Sequence, residues 1–185
     1  MPDPAMDPKA RRLLVSQAPL DQIPASAFLP TLSAVLGPGV VLAQRISPDA
    51  SSPAAAAAAR AIAAPRSLPA GGHWRWPAAE GASHAARLTA MAAALDGIPA
   101  LYFSVRWGTL GALRASPALI LPHAVALAER SLGCLLTSLD GDEGLRLDLV
   151  DGDAAHPGTG TFELIVWGEH WRRAAREAVE PAPTR

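Results

Sequence analysis

Residues 134–171, CLLTSLDGDEGLRLDLVDGDAAHPGTGTFELIVWGEHW, decide the fold class. Residues 134–137 form a short apolar run. In residues 145–150, Leu145, Leu147 and Leu149 alternate with Arg146 and Asp148. In residues 161–167, Phe162, Leu164 and Val166 alternate with Glu163, Ile165 and Trp167. Alternation with a period of two puts one set of side chains on a core face, so each segment reads as a strand. The link 140–144, Asp-Gly-Asp-Glu-Gly, is hairpin chemistry, because glycine supplies the positive φ that a tight turn needs. Gly168 then breaks the pattern. A helix is expected from about Glu169 to Val179, with Trp171, Ala174, Ala175 and Ala178 as its apolar stripe and Pro181 as its stop.

Working back from this meander, Ser116-Pro117 opens a helical run that continues toward Leu132. Pro122 either kinks it or begins the true helix. Residues 101–107, Leu-Tyr-Phe-Ser-Val-Arg-Trp, alternate like a half-buried strand, with a glycine-marked loop after them. Residues 83–96 carry the stripe Leu88, Met91, Ala92 and Leu95, with Ser83 as the expected cap and Gly97 as the exit. The string His73-Trp74-Arg75-Trp76-Pro77 suits a short edge strand ended by proline. Residues 26–36 suit a helix and residues 40–46 a strand. A short helix is expected over residues 9–17. Residues 47–72, with four prolines and a run of six alanines, read as a long surface connection holding a loose helix. The expected architecture is α+β: a mostly antiparallel sheet of about four to six strands with helices packed on one face. Residues 1–9 read as a disordered arm and 10–181 as one domain.

Charge is distributed unevenly. The formal net charge is −1, yet residues 140–169 hold eight carboxylates against Arg146 alone. A negative face of this kind repels nucleic acid and attracts basic proteins. The one cysteine, Cys134, excludes an internal disulfide and any multi-cysteine metal site, and it begins an apolar strand as an inert core thiol. No apolar stretch follows the N-terminal charges as in a signal peptide, and no run of about 18 apolar residues suits a membrane span. A cytoplasmic protein is expected.

Chemistry-bearing patterns are weak. Asp140, Asp142 and Asp151 occupy the first, third and twelfth places of a calcium-loop spacing. However, Leu145 replaces the glycine that loop needs, and an aspartate stands where a bidentate glutamate belongs. His156 and His170 flank the last expected strand, about 20 Å apart, too far to share a ligand. Phosphate-cradling, dinucleotide-binding and serine-nucleophile signatures are missing from the sequence, and no cofactor or metal is expected. The leading expectation is a small binding module, of the inhibitor or immunity type, docking a basic partner such as a nuclease toxin. Its contact residues would be Asp140, Asp142, Glu143, Asp148, Asp151 and Asp153, with Trp74 or Trp76 as aromatic anchor. The alternatives are a structural subunit of a larger assembly and a small enzyme or ligand-binding domain with a site near Tyr102, Arg106 and His170.

Overall fold

A computed structural model describes residues 25–63, 72–152 and 158–179. Among these residues seven strands form one sheet: β1 (Arg45–Ile46), β2 (His73–Pro77), β3 (Ala100–Phe103), β4 (Ala112–Ala115), β5 (Cys134–Ser138), β6 (Gly144–Val150) and β7 (Thr161–Trp167). Their order is β1-β4-β3-β5-β6-β7-β2, and every neighbouring pair is antiparallel. The α+β class and the antiparallel sheet hold, with more strands than the four to six expected. The expected meander is β5-β6-β7, and β7 and the closing helix fall on the residues their patterns mark.

On one face lie helices α1 (Ala25–Leu36), α2 (Pro38–Ala43), α4 (Gly81–Ala94), α6 (Pro117–Ile120), α7 (Ala124–Glu129) and α8 (Glu169–Val179). Phe28, Leu32 and Leu36 from α1, Leu88 and Met91 from α4, and Trp171 from α8 meet Tyr102, Leu136, Leu145, Phe162, Leu164 and Val166 of the sheet. The long run after Ser116 resolves into α6, a 3-10 turn at Leu121–His123 and α7, so the helix is interrupted at Pro122, whose nitrogen cannot donate. Helix α4 starts before Ser83, following a 3-10 turn at Ala78–Glu80, so Ser83 is a helical residue and not a cap.

The opposite face is covered by α3 (Pro48–Ala63), the alanine-rich segment. Ser51, Ser52, Ala54, Ala55, Ala57, Ala58 and Ala59 are buried in it. Ala54, Ala55, Ala58 and Ala59 pack on Leu101, Phe103, Ala112, Leu135, Trp107 and Trp167 in a second core. This replaces the surface connection with a loose helix expected over residues 47–72 and puts a helix on a second face of the sheet, although each alanine removes little area from water. The gain comes from the other side of the contact. Methyl side chains let the helix backbone approach the sheet closely, and the aromatic rings beneath it bury about 150–250 Å² each. Because both faces are covered, all four residues of β3 are buried.

Three local readings give way. Residues 38–43 are helical, and only Arg45 and Ile46 extend, since Pro38 sits in the first helical turn after Gly37. The strand expected over 101–107 ends at Phe103. Val105 N–H turns to Leu132 O (2.8 Å), and Trp107 opens the short α5 (Trp107–Leu110). The glycine-marked loop after it contains β4, whose small residues Ala112 and Ala115 carry little strand signal. The helix expected over 9–17 and the arm at 1–9 lie outside the described residues. Among the described residues no helix is long and apolar enough to cross a membrane.

Candidate functional site

The β5–β6 hairpin tip, residues 139–143, presents the best-defined polar surface. Asp140 Oδ1 accepts from Ser138 Oγ (2.6 Å) and from Asp142 N–H (3.1 Å). Ser138 Oγ also accepts from Glu143 N–H (3.1 Å), and Ser138 N–H donates to Glu143 O (2.8 Å). From below, Trp167 Nε1 donates to Gly141 O (3.0 Å). Gly141 rests on α3: a Cβ there would collide with Ala54 O and lie 2.9 Å from Ala57 Cβ. The tip is therefore anchored to the second core while Asp140, Asp142 and Leu139 face solvent. Leu139, 43% exposed, is the large apolar side chain that stands out among the described residues.

The hydrogen bonds from Ser138 and from the Asp142 N–H hold the Asp140 carboxyl below the ordinary aspartate pKa, against a small opposing effect of burial. A depressed folded-state pKa means that this contribution is present above the unfolded aspartate value and is lost as pH falls through the folded one. In a carbon-detected NMR titration, Ser138→Ala is expected to move the Asp140 midpoint upward toward the ordinary value.

The sequence-marked acids are divided by the fold. Asp140, Asp142 and Glu143 share the tip. Glu143 Oε1 accepts His170 N–H (3.1 Å), so this carboxylate caps the N-terminus of α8. Glu143→Ala should cost about 1 kcal/mol in urea denaturation, the usual scale for a lost cap, while Glu143→Gln retains most of it. Asp148 is buried in mid-strand, with Oδ2 2.5 Å from Arg146 Nε. Strand alternation places both on the face opposite Leu145 and Leu147, so the pair neutralises itself within the sheet. Asp151 follows β6 at its far end, about 20 Å from the tip at strand rise. Asp153 lies outside the described residues.

Trp74 and Trp76 share the core face of β2. Trp74 is half-buried, and Trp76, 6% exposed, stacks on His84 with centroids 4.7 Å apart. His84 Nε2 donates to Pro77 O (3.0 Å), which fixes that nitrogen as the protonated one. Trp76 is thus a core residue, and Trp74 is the aromatic with surface to offer.

Tyr102, Arg106 and His170 do not converge. Arg106 follows β3 at the end where β5 begins, whereas His170 follows β7 at the end where β5 finishes. Tyr102 is fully enclosed; its hydroxyl donates to Gly133 O (2.8 Å), and burial raises its pKa. A crevice lined by Leu29, Leu32, Val41, Tyr102 and Ser104 has a free volume of about 10 Å³, room for one water. Cys134 is buried as expected, its thiol pushed up to about 12 first by burial and then by the charge of Asp148. Among the described residues no three His, Cys, Asp or Glu side chains gather as metal ligands do.

Sequence reasoning found the acids of the tip but missed Leu139. Its only signal was an apolar residue placed after Ser138, outside the alternation of β5. No family model matches the chain, and no curated protein or solved structure matches it either.

Proposed function

We propose that the protein is a binding module that docks a basic protein partner through the tip of the β5–β6 hairpin. The observation that carries this reading is the combination at 139–143 of an exposed leucine with two exposed carboxylates on a backbone tied to the core. Rigid presentation lowers the ordering cost of association. The carboxylates steer a basic surface toward the tip and fix its register, while Leu139 supplies apolar contact. An inhibitor of the immunity type, covering the basic substrate-binding surface of a nuclease-like enzyme, is the form that best uses a small acidic knob. The contact set is narrower than composition suggested: Leu139, Asp140 and Asp142, with Asp148 and Trp76 internal and Asp151 at the other end of β6.

The immobilised protein should retain a basic protein from an extract of its source cells at moderate salt and release it at high salt. Asp142→Lys combined with Leu139→Ser keeps the Asp140 turn and is expected to weaken retention at least about tenfold. Asp151→Lys, at the far end of the sheet, should change little. Equal retention by the tip variant and the unaltered protein would remove the tip from the function.

A further inference from the structure

Among the described residues strand β2 ends the sheet, and the register shows which of its backbone groups face outward. Val166 N–H donates to Gly72 O (2.8 Å) and Ala78 N–H to Gly160 O (3.1 Å). Between these points, Trp74↔Leu164 and Trp76↔Phe162 are the pairs that exchange bonds with β7. The N–H and C=O of His73 and Arg75 therefore point away from the sheet, and no described strand meets them. Pro77 O is already occupied by His84.

The side chains around this open edge carry a preference. His73 and Arg75 project on the face opposite Trp74, with side chains 46% and 55% exposed. Glu163 Oε1 binds His73 Nε2 at 2.9 Å but stands 3.9 Å from Arg75 Nε, so the guanidinium is loosely held. On the core face Trp74 remains half-covered.

We propose that β2 is a strand-addition site for an extended acidic segment, with a carboxylate opposite Arg75 and an apolar residue opposite Trp74. An antiparallel strand laid on this edge forms hydrogen-bonded pairs at His73 and Arg75, and its side chains there share the face of theirs. Its residue between them falls on the Trp74 side and covers the ring. A second copy of β2 is a poorer occupant. Pairing two copies about Trp74 sets Arg75 against His73, which offers it no carboxylate, and pairing them about Arg75 sets guanidinium against guanidinium, where like charges directly opposite are unfavourable. Charge and proline on an edge strand ordinarily deter indiscriminate pairing. Here the same arginine disfavours a basic strand and favours an acidic one. The site uses no residue of the hairpin tip and selects the opposite charge, so either proposal can fail without the other.

The test is ¹⁵N NMR of the full chain titrated with a capped seven-residue peptide alternating Glu and Val. Shifts at the His73 and Arg75 amides, with slowed exchange of both, are expected. An otherwise identical Lys/Val peptide, and a Glu/Val peptide N-methylated at its glutamates, should bind at least about tenfold more weakly. Arg75→Glu, at an exposed position, is expected to reverse the charge preference. Equal binding of the acidic and basic peptides, shifts confined to other residues, or concentration-dependent shifts of the same amides without peptide would overturn the proposal, the last in favour of self-pairing.

Discussion

Gly111→Ala is expected to destabilise the protein by more than about 3 kcal/mol, beyond the cost of most single substitutions. Gly111 has φ +75° and lies between α5 and β4. A Cβ there would overlap Ile46 O and lie 2.8 Å from Ser47 C and 2.9 Å from Ile46 C. These are backbone atoms of β1 and of the turn into α3, with no flexible side chain to move aside. Relief requires β1 to leave the edge of β4, where Ile46 pairs with Ala112. That displacement also draws away the start of the helix covering the second core. Gly97→Ala is the control. Its φ is +76°, yet nothing lies within 4 Å of the added carbon, so only the conformational cost of about 1 kcal/mol applies. Guanidinium denaturation of both variants separates collision from strain. Similar losses at the two positions would show that β1 yields freely.

Trp167→Ala should cost about 3–5 kcal/mol, the usual range for emptying a buried aromatic site. The corresponding fall in Tm is on the order of 10 °C for a chain of this size. Trp167 is 4% exposed, closes the second core beneath α3 and holds Gly141 O through its indole nitrogen. Two effects should separate on substitution. Trp167→Phe keeps most of the apolar volume and loses the hydrogen bond, so it should cost about 1–2 kcal/mol. Both variants should speed amide exchange in 139–143, because the tip loses its tie to the core. Unchanged exchange there would mean that the Ser138–Asp140–Glu143 bonds alone hold the turn, and that presentation of Leu139 does not depend on the sheet.

The legible parts of the chain are those whose pattern is written in residues close together. The meander, its hairpin and the closing helix follow from period-two alternation, turn glycines and a 3.6-residue stripe, and none needs a distant partner to be read. Residues 101–107 show where this fails. Leu101, Phe103, Val105 and Trp107 alternate cleanly, yet the backbone turns after Phe103 because Val105 N–H finds Leu132 O. Residues 40–46 fail in a similar way: β-branched Val40 and Val41 suggest a strand, but the proline and glycine before them open a helical turn.

The acidic segment divides along the same line. Its charge was evident from composition, but alternation and strand length decide which carboxylates share a surface. Asp148 turns inward to Arg146, Glu143 caps α8, and Asp151 is carried to the far end of the sheet.

By itself, the sequence determined an antiparallel α+β chain with an acidic hairpin, since neighbouring residues carry the periods and turns that select those elements. Only the tertiary structure decided that an alanine helix seals the second face, that β2 closes the sheet beside β7, and that Leu139 stands out at a tethered tip. Each depends on atoms far apart in the chain being brought to contact distance. Burial and backbone pairing at that range leave little periodic trace in the residues that make them.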